Sequence, residues 1–243
     1  MTVDFHAHIL PGADHGCRDR AMATAQLALI ASGGTDTVVA TPHFYPHRDN
    51  IRSFLARRAA AAERLLSCRR PDGLRICLGA EVQVCEGLEE MEELESLCVQ
   101  GTKVILLEMP HGKWSRRLTA TVLAIAEAGY TPVLAHVDRY PSREIEKLLQ
   151  RGIPAQLNAD AFAGFFSRRR AMRYLQGGAV VALGSDLHGA DAESYVPFTE
   201  ALRRLGEQGE QVLARSADLL CGAQDVAELS IRSKTEASKG ERV

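Results

Sequence analysis

Short apolar runs alternate with longer helix-patterned segments along almost the whole chain, and that rhythm admits few folds. Strands that run parallel cannot be joined by tight turns, so each needs a crossover, usually helical. The apolar runs predict strands at Thr2–His6, Thr37–Ala40, Arg75–Gly79, Lys103–Leu107, Thr131–Ala135, Pro154–Asn158 and Val180–Leu183. The intervening segments predict helices at Asp19–Ser32, Ile51–Ser67, Ser115–Ala128, Ser142–Arg151, Ala161–Gln176 and Tyr195–Leu205. Gly33-Gly34, Gly129, Gly152 and Gly177-Gly178 stand where those helices should stop. Seven strands in this order fit an α/β barrel better than an open doubly wound sheet.

The 243 residues suffice for one such barrel, and we expect a single domain over 1–229 followed by a polar, flexible tail over 230–243. The net charge of −2 provides no global field for nucleic acid or anionic lipid, so phosphate recognition has to be local. Neither a phosphate-cradling G-x-x-x-x-G-K-[ST] loop nor a dinucleotide G-x-G-x-x-G turn occurs. Met1 to His6 carries no leader pattern, and no apolar run is long enough to span a membrane. The expectation is a cytoplasmic protein with no membrane insertion. The six cysteines form no C-x-x-C pair, and we expect reduced, mostly buried thiols. None has an arginine six positions on, which excludes a thiolate nucleophile in a phosphate-binding Cys-x₅-Arg loop.

Most of the eight histidines fall at or just beyond the C-terminal end of a predicted strand, the catalytic face of an α/β barrel. His6 and His8 close the first strand, with Asp14 and His15 in the loop that follows. His43 follows the second strand, Glu81 the third and Glu108 the fourth. His136 ends the fifth, and Asp186 and His188 follow the seventh. Imidazoles and carboxylates without thiolates suit Mn²⁺, Fe²⁺ or Zn²⁺, and this many can hold two or three ions close together. Such a cluster clamps a phosphate, lowers the pKa of a bridging water and offsets charge on the leaving oxygen. His47, Arg48 and His111 could line the rim or lie in exposed loops. Arg168-Arg169-Arg170 reads as the solvated start of a helix that an anionic partner could use.

Asp4-Phe5-His6-Ala7-His8-Ile9-Leu10-Pro11-Gly12, Ala40-Thr41-Pro42-His43, Gly79-Ala80-Glu81-Val82, Leu106-Leu107-Glu108-Met109-Pro110, Ala135-His136-Val137-Asp138-Arg139-Tyr140 and Gly184-Ser185-Asp186-Leu187-His188 occur in this order. Together they resemble the PHP superfamily, and within it the bacterial manganese-dependent tyrosine-protein phosphatases of capsule and exopolysaccharide loci. The resemblance implies a distorted seven-stranded, TIM-like (β/α) barrel of the PHP type. It implies three Mn²⁺ ions, with Fe²⁺ or Zn²⁺ as alternatives. His6, His8, Glu81 and Asp186 would hold the first ion, and Glu81 would bridge to a second at Glu108 and His136. His43 and His188 would hold the third, with Asp14 or His15. Arg139 would clamp the phosphate, and His43 and His188 would join it as catalytic residues. The implied substrate is the phosphotyrosine tail of a polysaccharide-locus tyrosine kinase.

Two positions depart from the family pattern. His15 stands where the family has a second aspartate, and Gly189 and Glu193 stand where it often has an asparagine and an arginine. The alternative readings are a small-molecule phosphatase of the histidinol-phosphatase type, an amidohydrolase, and a metal-binding barrel without catalysis.

Overall fold

The computed structural model describes residues 1–228, and the expected tail lies outside the described residues. Nine strands alternate with seven helices: β1 Val3–Ala7, α1 Arg20–Ser32, β2 Thr37–Ala40, β3 His43–Phe44, α2 Ile51–Leu66, β4 Arg75–Leu78, β5 Glu81–Gln83, β6 Val104–Glu108, α3 Arg116–Glu127, β7 Thr131–Leu134, α4 Ser142–Leu149, β8 Ala155–Asn158, α5 Phe165–Gln176, β9 Val180–Gly184, α6 Val196–Leu205 and α7 Glu207–Leu219. Side-chain caps start the first three helices. Asp19 accepts from the Met22 amide, Asn50 from Ser53 and Ser115 from Leu118.

All strand pairs are parallel, in the orders β1-β2-β4 and β3-β5-β6-β7-β8-β9. β3 continues β2 after Thr41-Pro42, and β5 continues β4 after Gly79-Ala80, so the two sheets follow one another as seven staves. Pro42 has no N–H to offer the ladder, which accounts for the first interruption. No regular ladder closes β9 onto β1. Two backbone bonds join them instead, from Asp186 N to the His6 carbonyl (2.8 Å) and from His8 N to the Leu187 carbonyl (3.2 Å). The result is the expected distorted barrel.

Two apolar clusters surround the staves. Leu27, Ile30, Phe54, Leu65, Val122 and Ile125 of the outer helices pack on one face of the strands. Val3, Phe5, Val39, Cys77, Leu106, Val133 and Ala182 fill the interior together with Leu213 and Leu220. Burying a side chain such as Phe5 contributes about 1.5–3 kcal/mol. Strands buried on both faces lose the apolar–polar alternation of half-buried ones, which is why they read as plain apolar runs.

Three features differ from the sequence expectation. The short β3 and β5 are too small to give a pattern. Helix α7, with Leu213 and neighbouring Leu220 against the barrel interior, was not anticipated because its polar residues mask a narrow apolar stripe. Only Cys17, Cys77 and Cys98 of the free cysteines are buried; Cys68 and Cys85 are half-buried and Cys221 is exposed. No described helix is long and apolar enough to cross a membrane.

Candidate metal centre

Glu81, at the start of β5 and 1% exposed, lies at the middle of the histidines and carboxylates. Its Oε2 is 3.2 Å from His6 Nε2, 3.3 Å from His8 Nε2 and 2.8 Å from His43 Nδ1. Its Oε1 is 2.7 Å from His136 Nε2. Asp186 Oδ1 approaches His8 Nε2 at 3.2 Å and His6 Nε2 at 3.6 Å. Three overlapping groups have their ligand atoms within 4.8 Å of one another: His6, His8 and Glu81; His43, Glu81 and Glu108; and His8, His43 and His188.

A β-bulge aims the first of these residues. The β1–β2 register slips between Asp4 and Ala7, which breaks the strict alternation of side chains around His6. Two glycines then allow close approach. A Cβ on Gly184 would lie 2.5 Å from the His6 Cβ, and one on Gly16 would lie 2.2 Å from the His8 Cβ. His136 (φ 31°) and Asp186 (φ 52°) hold left-handed backbone conformations just past β7 and β9. Such conformations cost on the order of 1–3 kcal/mol each for side chains of this kind and cluster at functional sites.

Acceptors behind the histidines fix which nitrogen faces inward. His8 Nδ1 donates to Asp14 Oδ2 (2.8 Å), His6 Nδ1 faces Gln156 Oε1 (3.4 Å), and His188 Nδ1 donates to the Asp186 carbonyl (2.8 Å). A carbonyl or carboxylate can only accept, so each of these rings carries a proton at Nδ1 and turns Nε2 toward the cluster. Metal-binding histidines are held in this way. Gln156 Oε1 also accepts from the His136 amide (2.7 Å), and its Nε2 donates to Asn158 Oδ1 (2.9 Å).

Burial works against charge throughout the cluster; the neighbours reverse it at Glu81, His6, His8, Asp14 and Asp186 and reinforce it at Glu108 and His188. Burial raises Glu81, but the charge on His6, the bond from His136 and the nearness of His43 bring it well below the usual range. Burial disfavours a charged His8, yet its bond to Asp14 and the nearby carboxylates of Asp186 and Glu81 raise it well above 6.5. His6 is raised as well, against burial, mainly by Glu81. Asp14 and Asp186 are depressed despite burial, chiefly by bonds to His8. Glu108 is raised by burial and by the Glu81 charge. His188 is lowered to about 4 by burial and by the His8 charge, which keeps its ring neutral.

The donor set fits divalent metal. His43 Nδ1, Glu81 Oε2 and Glu108 Oε2 are buried without a hydrogen-bond partner, although the first two lie 2.8 Å apart and these three residues group within 4.8 Å. Atoms this close that do not bond to each other are aimed at a shared point, and an all-nitrogen-and-oxygen set suits Mn²⁺, Fe²⁺ or Zn²⁺.

Asp14 and His15 take different parts. Asp14 Oδ2 bonds His8 Nδ1 and the His43 amide (3.0 Å), and Oδ1 takes the Gly16 amide (2.9 Å), so its oxygens are engaged. The His15 ring stacks on His43 (4.9 Å, 8°) and sits 4.8 Å from His188.

Arg139, 41% exposed, donates through Nη2 to Asp186 Oδ2 (2.6 Å), which Asn158 Nδ2 also reaches (3.0 Å). One carboxylate therefore faces the cluster with one oxygen and Arg139 with the other. Tyr140 packs on His136 (5.5 Å) and its hydroxyl accepts from the Met109 amide.

The peripheral candidates divide. Tyr45 stacks on His43 (5.1 Å) and Arg48 lies over the Tyr45 ring, whereas His47 and Arg48 are exposed and bonded to each other. His111 lies in an exposed loop, 6.4 Å from the Tyr140 ring. Glu193 is exposed. A Cβ at Gly189 would meet Ser194 Oγ at 2.4 Å, so Ser194 fills the space a side chain there would need. Sequence reasoning missed Gln156, Asn158, Gly16 and Gly184. The first two sit at the end of β8, where their position was a usable signal.

Residues 2–211 match the family described as capsular polysaccharide synthesis, CpsB/CapC. The chain is 25% identical over 242 residues to tyrosine-protein phosphatase YwqE of Bacillus subtilis (strain 168), covering 92% of this chain and 93% of that protein. It is 28% identical over 210 residues to tyrosine-protein phosphatase CpsB of Streptococcus pneumoniae, covering 78% and 84%. The crystal structures of YwqE and CpsB, described as metal-dependent tyrosine phosphatases, give a match with TM-score 0.73 at 22% identity, over 92% of this chain and 96% of that one. A variant organophosphorus hydrolase from Deinococcus radiodurans shares the fold alone, with TM-score 0.51 at 14% identity over 90% and 92%. The family match spans most of the chain, and the protein belongs to the CpsB/CapC family of capsular polysaccharide synthesis.

Proposed function

We propose that the chain is a metal-dependent protein-tyrosine phosphatase, acting in the cytoplasm on the phosphotyrosine tail of a tyrosine kinase of capsular or exopolysaccharide biosynthesis. The observation that carries this is the Glu81-centred cluster with Arg139 beside it, in a chain whose relatives YwqE and CpsB are tyrosine-protein phosphatases. His6, His8, Glu81 and Asp186 would hold one ion, and Glu81, Glu108 and His136 a second. His15, His43 and His188 would hold a third, with Asp14 as the residue that orients His8. Mn²⁺ is the proposed metal, and Fe²⁺ or Zn²⁺ fit the same donors.

Divalent ions there supply Lewis-acid stabilisation of charge on the phosphoryl oxygens and activation of water near neutral pH. The residues of the chain provide the geometry. Arg139 offers its guanidinium to two phosphoryl oxygens, and Asp186 Oδ2 and Asn158 hold it at the mouth. The neutral His188, with His43 beside it, lines the side from which the phosphoryl group enters.

The test is phosphate release from a phosphotyrosine peptide, with histidinol phosphate alongside. Metal-stripped protein is reloaded with Mn²⁺, and His136→Ala serves as the control. Metal-dependent release from the peptide that disappears in the variant is expected. Turnover of histidinol phosphate alone would overturn the substrate assignment.

A further inference from the structure

Among the described residues, the exposed large apolar side chains are Met1, Phe165 (78%), Phe166 (83%) and Val196 (46%). Phe165 and Phe166 lie together: they open α5 just after β8, at the barrel end that carries the metal cluster. Val196, which opens α6, stands elsewhere, beside Tyr195, whose hydroxyl bonds Thr35 and Asp4 near the start of the strands. Both helices pack on the 3-10 turn Ala159–Phe162 between β8 and α5, and Arg204 of α6 donates to the Phe162 carbonyl (3.2 Å). The two phenyl rings meet edge to face at 5.4 Å and project outward.

Helix α5 is also strongly cationic. Arg168, Arg169 and Arg173 are exposed, and the helix Phe165–Gln176 contains no acidic residue. Its N-cap, Gly164, offers no side-chain cap. Cations in the first turns oppose the helix dipole, and exposed phenyl rings gain nothing in water, so neither feature serves the fold of α5. Arg170 differs from its neighbours, since it turns inward and donates to the Asp138 carbonyl.

We propose that Phe165 and Phe166, flanked by Arg168, Arg169 and Arg173, form an edge that docks on an anionic lipid surface. Rings that project this far beside arginines suit the boundary between headgroups and acyl chains, since Phe165 and Phe166 are too exposed to act as the walls of a peptide groove. The arginines supply the charge complementarity, because the chain as a whole carries a net charge of −2 and has no general attraction to such a surface. The contact is interfacial, without a spanning segment, and it turns the cluster end of the barrel toward the lipid. It stands apart from the phosphatase reading, since no residue of the edge belongs to the proposed metal or phosphate site.

The experiment is co-sedimentation of the full chain with vesicles of phosphatidylcholine alone and of phosphatidylcholine mixed with phosphatidylglycerol. Binding is expected to the mixed vesicles only and should weaken in high salt. The double variant Phe165→Ser, Phe166→Ser should bind at least about tenfold more weakly, as should Arg168→Gln, Arg169→Gln, Arg173→Gln. Both variants should keep the thermal stability of the parent. Equal binding to the two vesicle types, no binding, or binding unchanged in the phenylalanine variant would overturn the proposal. So would a concentration-dependent dimer that the phenylalanine variant dissolves, or capture of an acidic peptide by a chain that ignores vesicles.

Discussion

The inner wall of the cluster and its outer rim are built in opposite ways. On the inner wall, His6, His8, Glu81 and His136 are fully buried, and partners such as Asp14 and Gln156 hold three of these side chains or their backbone in place. On the rim, His15 and Arg139 are exposed and His188 is half-buried. His15 is placed there by ring stacking. The inner wall is organised before any ligand arrives, at the cost of left-handed backbone at His136 and of buried atoms without partners. The rim stays adjustable, as the proposed entry of a phosphorylated side chain requires.

That contrast orders the expected effects of substitution. Glu81→Gln should be the most damaging. It removes the carboxylate shared by two ligand groups, so turnover should fall by about 10³-fold or more, with metal lost in elemental analysis. If Glu81→Gln kept its metal, the inner wall would not be the organising half. Arg139→Ala should lower kcat/KM by roughly 10²–10³-fold while metal content stays unchanged, and Arg139→Lys should recover only part of it. Steady-state kinetics beside metal analysis would separate these two classes.

Gln156→Ala should weaken metal binding by about 10–100-fold without touching a metal, because His6 and the His136 backbone lose their orienting partner. A metal titration would read this directly. His15→Ala should act more mildly, lowering metal stoichiometry by at most one ion and activity by about tenfold, and His15→Asp should restore that ion. Loss of all metal in His15→Ala would show that the rim is not separable from the wall.

The smallest effect concerns pH in the metal-free protein. His6 and His8 are raised in the fold, so their contribution is complete below about 6.5 and is lost as pH rises through their folded values. Asp14, Glu81 and Asp186 are depressed, so theirs is complete above about 4.5 and is lost as pH falls through theirs. Thermal melts of stripped protein should therefore peak between those limits and decline by a few degrees toward pH 9. Metal displaces the same protons, so loaded protein should show no such decline.

Much of the candidate site was legible because imidazoles and carboxylates at strand ends leave a mark that needs no coordinates. His6, His8, His43, Glu81, Glu108, His136, Asp186 and His188 each follow an apolar run, and the barrel brings the ends of those runs together. Gln156 and Asn158 follow the same rule, but amides are common at strand ends for other reasons. Gly16 and Gly184 gave no signal, since only contact with His8 and His6 shows why a Cβ cannot be accepted there.

The fold divides along the same line. The alternation of buried runs and amphipathic helices fixed the number and order of the seven staves, because periodicity is a local property of the chain. Whether they close, where β2 and β4 break, and that α7 supports the barrel interior depended on packing between distant residues. So did the choice between Asp14 and His15: adjacent in sequence, they are chemically plausible alternatives until the folded chain gives Asp14 to His8, Gly16 and His43 and leaves His15 beside His43 and His188. Sequence spacing determines which groups can reach the mouth of a barrel. Which atom faces inward depends on the hydrogen-bond partner behind it, and only tertiary structure supplies that partner.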